Sequence, residues 1–197
     1  MTQGAVAESA INLKFSHMGV AVRDIDLMER FYVDVLGFLV TDRGDFGKVK
    51  VVFMSRNPAE HHEIVLATGR PAKLPVNEVE PALGPSIIQI SFKLDSLADL
   101  RTIKSRLEAY GAKRVYSTNH GLAWSVYGDD PEGNCLEFFV DTDWYMPQPL
   151  IHPLDLEKPD EEIIEETLAL CQTSPDFKPY GEWRSAVARV LAAPDGL

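Results

Sequence analysis

The sequence predicts an α+β protein in which two βαβββ modules curl their strands into one mixed sheet, followed by a helical tail. Two observations carry this. The order strand, helix, three strands occurs twice, and Gln89 lies roughly 72 positions after His17, a spacing that also sets Ser96 on Asp24 and Leu97 on Ile25. A single such unit covers its half-sheet with only one helix. Two units side by side form a cup whose inner wall is free for a ligand.

Residues 15–22 alternate apolar side chains around His17, Gly19 and Ala21, which reads as the opening strand. Asp24 is placed to cap the next segment, in which Leu27, Met28, Phe31 and Val35 recur at helical spacing before Gly37 closes it. Strands are expected at 38–41, 48–54 and 62–67, punctuated by Gly44, Gly47, Asn57 and Pro58. The pattern then restarts. Residues 87–94 form a strand, Ser96 caps a helix with Leu97, Leu100, Ile103 and Leu107 on one face, and Gly111 ends it. Strands follow at 113–116, 122–127 and 134–140. The expected organisation is module 1 over 12–68, a Pro/Gly/Ala-rich linker over 69–85, module 2 over 86–141, and an extended segment with C-terminal helices over 142–197. In that tail 144–153 is extended. A helix over 159–171 sets Ile163, Ile164, Thr167, Leu168 and Cys171 on one face, and a shorter helix covers 181–193. The tail is expected to cover the cup mouth or a subunit contact.

The 197 residues suffice for one compact domain or two small modules. A formal net charge of −11 argues against nucleic acid or an anionic membrane as partner, since both need a basic face. Cys135 and Cys171 form no metal or disulfide pattern, no apolar run is long enough for a transmembrane helix, and the first residues lack a secretory signal. A cytoplasmic location is expected.

Three features depart from packing alone. His17 lies inside the opening strand. Glu137 interrupts the apolar stretch 134–140, and a buried carboxylate needs a cation or hydrogen-bond donors. His61, His62, His120 and Tyr127 fall at strand starts and ends. In a closed cup His17 and Glu137 would converge on one ion, and imidazole with carboxylate suits iron, manganese, zinc or nickel. Alternation does not decide which of His61 and His62 faces inward. The bland alternative is a hydrogen-bonded core histidine and a strand-edge carboxylate.

His17-Met18-Gly19-Val20-Ala21-Val22, then Phe31-Tyr32, then Val35-Leu36-Gly37-Phe38, resembles the opening module of the vicinal oxygen chelate superfamily. That group includes glyoxalase I, fosfomycin and bleomycin resistance proteins and type I extradiol dioxygenases. The segments His61–Leu66, Asn119-His120-Gly121, Ser125-Val126-Tyr127 and Asp130–Asn134 leading to Glu137 are most similar to its one-domain dihydroxybiphenyl-type dioxygenases. The resemblance implies His17 and Glu137 as metal ligands, His62 as the acid/base beside dioxygen, and His120 and Tyr127 at a substrate hydroxyl. It implies Fe(II), with Mn, Zn or Ni as alternatives, and ring opening of a catechol-like diol by O₂. It also implies a homo-oligomer.

One position departs from the pattern. Gln89 occupies the place of the middle ligand, where the family has a histidine, and a neutral amide oxygen is a weaker ligand for Fe(II) than imidazole. Two alternatives follow. One is a glyoxalase-like lyase or isomerase, for which a fourth ligand is expected near Val65, or at Glu63 if the register slips. The other is a metal-free small-molecule-binding protein of the same fold, which Gln89 favours.

Overall fold

A computed structural model describes residues 14–71 and 87–192. Most of the expected linker therefore lies outside the described residues. The first module comprises β1 (Met18–Val22), α1 (Ile25–Arg30) continued by a π-helical turn (Phe31–Val35), β2 (Leu39–Phe46), β3 (Val49–Ser55) and β4 (Ile64–Thr68). The second comprises β5 (Ile90–Lys93), α2 (Leu97–Tyr110), β6 (Tyr116–Asn119), β7 (Ala123–Asp129) and β8 (Cys135–Asp141). The tail adds β9 (Trp144–Tyr145), β10 (His152–Pro153), α3 (Asp160–Cys171), β11 (Lys178–Pro179) and α4 (Tyr180–Ala192). Among the described residues no helix is long and apolar enough to cross a membrane.

The duplication is visible in the strand register. β1 runs parallel to β4 with Met18 opposite Ile64, and β5 runs parallel to β8 with Ile90 opposite Leu136. Both partners advance by the same number of residues from one module to the next. The strands form a four-stranded sheet, β1-β4-β3-β2, and a five-stranded sheet, β10-β6-β7-β8-β5. The expected single curled sheet is thus two sheets. A common hydrophobic core joins them, in which Met28, Phe31 and Tyr32 of the first module meet Leu100, Leu107 and Phe138 of the second.

Both helix starts follow from their caps. The Asp24 carboxylate accepts from Leu27 N–H at 2.9 Å, and the Ser96 hydroxyl from Asp99 N–H at 3.1 Å. All four predicted apolar residues of α2 are buried, and Gly111 ends the helix at φ +82°, a left-handed conformation that glycine tolerates best. Strand boundaries moved more. β6 starts at Tyr116 rather than 113, because Arg114 sits at φ +52° and turns the chain. β2 runs on through Gly44, which pairs with Val51 beyond a bulge near Thr41. β1 and β5 begin one residue after His17 and Gln89, respectively.

Glu132, in the β7–β8 turn, locks the modules together. Its Oε1 accepts the backbone N–H groups of Arg23 (2.5 Å) and Asp24 (2.9 Å), and its Oε2 pairs with Arg70 at 3.2 Å. Both members of that ion pair are buried.

The tail packs on the second module. Thr167 on α3 accepts from Asn119 Nδ2 and Trp124 Nε1, both at 2.8 Å, and so buttresses β6 and β7. Ile163, Thr167 and Cys171 are buried as expected, but Ile164 is exposed. A Cβ on Gly121 would meet Met146 Sδ at 2.5 Å, so the turn after His120 admits only glycine against the tail.

Candidate functional site

The second module gathers a polar cluster on one face of its sheet. The register sets Tyr116 opposite Tyr127, Tyr127 opposite Glu137, and Glu137 opposite Ser91. Residues level across adjacent strands share a face. Glu137 is 9% exposed, yet both its oxygens are supplied with donors. Oε1 accepts from Ser125 Oγ (2.9 Å) and Tyr127 Oη (2.6 Å); Oε2 accepts from Ser91 Oγ (2.6 Å) and Gln89 Nε2 (2.8 Å). Four donors match the roughly four lone-pair positions of a carboxylate.

His120 extends the cluster. Its Nδ1 meets the Leu150 carbonyl at 2.6 Å, its Nε2 meets Tyr127 Oη at 3.0 Å, and Nε2 stands 4.0 Å from Glu137 Oε1. A carbonyl only accepts, so Nδ1 carries a proton. The two contacts on either side of Tyr127 Oη then need two protons. A neutral imidazole and an ionised carboxylate leave only the phenol's own. By this count of donors and acceptors the chain from His120 through Tyr127 to Glu137 has room for one more proton. Burial, then the hydrogen bond to Glu137, raises the Tyr127 phenol well above its ordinary range, so it stays protonated.

Tyr116 stacks on Tyr127 with centroids 4.9 Å apart and planes 12° from parallel, and it is half exposed. It offers an aromatic face beside the cluster. Ser91, Ser125 and Tyr116 were not singled out from sequence. The period-two alternation about Glu137, carried to the neighbouring strands, would have found them.

The remaining predicted residues form a separate group in the first module. His61 Nε2 donates to Asp42 Oδ2 at 2.8 Å, and His61 Nδ1 lies 2.9 Å from His62 Nδ1. With His61 neutral, His62 donates from Nδ1 and keeps a free lone pair on Nε2. The His62 ring packs against His17 at 4.3 Å and edge-on to Phe53 at 5.1 Å. Desolvation first, then the neighbouring imidazoles His17 and His61, lower the His62 pKa. His61 is exposed and His62 partly buried, which resolves the ambiguity between them in favour of His62 as the inner ring.

The structure thus brings Gln89, His120, Tyr127 and Glu137 together, and His17 with His62. His17 is exposed and makes neither an ion pair nor a hydrogen bond with Glu137; its Nδ1 contacts Ser16 Oγ at 3.2 Å. Among the described residues, which include all five histidines, no group of three or more His, Cys, Asp or Glu side chains gathers to hold a metal ion. The residues at Glu137 therefore do not fit a two-imidazole, one-carboxylate iron centre. Gln89 points an N–H donor at the carboxylate instead of standing beside it as a carbonyl ligand. The position matching Glu137 in the first module is Val65, and Glu63 is engaged by Arg56 N–H at 2.7 Å and Ser55 Oγ at 3.3 Å. A fourth, lyase-type ligand is absent there.

Residues 14–138 match the Glyoxalase/Bleomycin resistance protein/Dioxygenase superfamily. The chain is 27% identical over 128 residues to biphenyl-2,3-diol 1,2-dioxygenase 3 of Rhodococcus globerulus, across 65% of this chain and 63% of that protein. It is 26% identical over 129 residues to the uncharacterized protein YwbC of Bacillus subtilis, across 64% of this chain and 96% of that one. It spans only 63% of the dioxygenase's length. Two solved structures share the fold: a glyoxylase/bleomycin resistance protein/dioxygenase domain from Frankia sp. EAN1pec and the fosfomycin resistance protein FosX of Listeria monocytogenes. The first has TM-score 0.56 and 21% identity over 68% of this chain and 98% of the other. The second has TM-score 0.51 and 15% identity over 68% and 96%.

Proposed function

The chain belongs to the Glyoxalase/Bleomycin resistance protein/Dioxygenase superfamily, and from that premise we propose that its second module binds a small catechol-like aromatic diol and takes a proton from one of its hydroxyls. One observation carries the reading. The Tyr127 hydroxyl stands between Glu137 Oε1 at 2.6 Å and His120 Nε2 at 3.0 Å, and in this proposal the chain rests one proton short. A phenolic hydroxyl entering beside Tyr127 supplies that proton, and Tyr116 offers a face for its ring. Proton transfer across such positioned groups is ordinary general-base chemistry. No step is assigned to a metal, because the donor set at Glu137 does not fit one.

Extradiol-type ring cleavage with Fe(II) and O₂ is the second reading. The similarity to a biphenyl-2,3-diol dioxygenase favours it, as does the interval from Tyr127 to Glu137, whose side chains meet. The glyoxalase-like alternative loses support at Val65 and Glu63.

The test is a difference-absorbance titration of catechol and 2,3-dihydroxybiphenyl into protein stripped of metal. Saturable binding with the red-shifted band of a monoanion, lost in Tyr127→Phe, is expected. Binding of the neutral diol alone, or none, refutes the proposal. A yellow ring-fission product from iron-loaded protein, with no binding to stripped protein, establishes the second reading in its place.

A further inference from the structure

A cavity lies against β5 and β8, lined by Phe92 and Phe138 and bordered by Ser91 of the Glu137 cluster. Ser91 stands opposite Glu137 on β5 and β8, and Phe92 opposite Phe138 is the next pair. The pleat turns that pair to the other face. Phe92 and Phe138 stack at 5.5 Å with planes 21° apart, and Phe38 of the first module meets Phe92 edge-on at 5.9 Å. These rings floor a cavity of about 590 Å³ bounded by α2, a size usual for small-molecule sites.

Two guanidiniums stand on its rim. Arg56 donates to the Leu36 carbonyl at 2.6 Å, and Arg106 to the Val35 carbonyl at 3.3 Å. These are the carbonyls of consecutive residues, so both guanidiniums are held at the end of the π-helical turn. Among the described residues neither arginine makes an ion pair. Each uses one of its five N–H donors on a carbonyl.

Three carboxylates also line the cavity, and among the described residues none of them forms an ion pair with Arg56 or Arg106. Glu63 accepts from the Arg56 backbone and Asp99 from the Ser96 hydroxyl, while Asp95 is exposed. Lys93 is paired with Asp141.

We propose that this cavity binds a small aromatic carboxylate, its ring on Phe38 and Phe92 and its carboxylate between Arg56 and Arg106. Paired guanidiniums match the two oxygens of a carboxylate, and aromatic rings accept a planar apolar body. Tyr127, His120 and Glu137 do not line this cavity, and of the Glu137 cluster only Ser91 borders it.

The probe is 2-naphthoate, titrated calorimetrically beside its neutral analogue 2-naphthol. Naphthoate is expected to bind saturably and naphthol at least about tenfold more weakly, since charge-assisted hydrogen bonds distinguish them. The Arg56→Gln, Arg106→Gln double variant should lose about tenfold in naphthoate affinity, and Tyr127→Phe should lose nothing. The Arg56→Lys, Arg106→Lys variant keeps charge at the helix end; it should fold and bind with intermediate affinity even if the glutamine variant does not fold. Equal binding of naphthol, unchanged affinity in the lysine variant, or loss in Tyr127→Phe overturns the proposal. So does the absence of saturable naphthoate binding, which would leave the arginines as helix caps only.

Discussion

Replacing Tyr127 by Phe removes one oxygen and its hydrogen bond to Glu137 while keeping the ring stacked on Tyr116. The 2.6 Å bond ends on a carboxylate that is 9% exposed, and a hydrogen bond to a charged group contributes about 1.5–3 kcal/mol. Ser125 still serves Oε1, so the carboxylate is not orphaned and the lower part of the range applies. The expected cost is about 2 kcal/mol. Urea unfolding at pH 7 should show it as a lowered midpoint at unchanged slope. Ser125→Ala acts on the same oxygen, so the double variant should depart from additivity by about 0.5 kcal/mol or more. A Tyr127→Phe protein within about 0.5 kcal/mol of the parent, additive with Ser125→Ala, would refute the idea that this hydroxyl holds Glu137.

Four further outcomes are expected. Glu132→Ala, which removes the side-chain acceptor of two backbone N–H groups and the carboxylate paired with Arg70, should cost at least about 1–3 kcal/mol in urea unfolding; Glu132→Gln, which still accepts, should cost less, and equal losses would discount the two N–H contacts. Burial raises Asp130 to about 6 in the folded protein, above the ordinary value of about 3.9. The native state therefore holds that proton more tightly; the stability it contributes is present below about pH 4 and is lost as pH rises through about 6, amounting to roughly 3 kcal/mol. An Asp130→Asn protein whose stability falls as steeply as the parent's over that window would contradict this. Burial also raises Tyr32, Tyr116 and Tyr127 above the usual phenol range, so fewer tyrosinates should form at about pH 11 in folded than in denatured protein, with stability falling above about pH 10. Gln89→His should raise affinity for divalent iron or zinc measured by calorimetry, because it sets an imidazole beside Glu137; unchanged metal binding would place residue 89 outside any metal's reach.

Much of the fold was legible because its signals are local and repeated. The caps Asp24 and Ser96, the apolar stripe of α2 and the glycine at 111 each state their structure within a few residues, and the duplication checks them against each other. The register of β1 on β4 and β5 on β8 realises the same repeat. What escaped depends on contacts far along the chain. The π-helical turn at Phe31–Val35, the pairing of His152–Pro153 with β6, and the division into two sheets have no local signature.

The site divides in the same way. His120, Tyr127 and Glu137 were named, and they meet. Gln89 was named as a ligand but serves as a donor, because amide nitrogen and oxygen look alike until a carboxylate stands opposite. His17 was joined to Glu137 through a closed cup and the family resemblance, yet a place at the start of a strand does not fix where a side chain turns, and its ring packs on His62. The tail was read as covering the cup mouth or a subunit contact; its Leu150 carbonyl fixes which nitrogen of His120 carries a proton.

Calorimetric titration of catechol into protein freed of metal by a chelator, repeated after anaerobic addition of Fe(II), tests the central claim most directly. Saturable binding of equal strength in both, abolished in Tyr127→Phe, is the predicted result. Binding that arises only once iron is present would contradict it and make Glu137 a metal ligand after all.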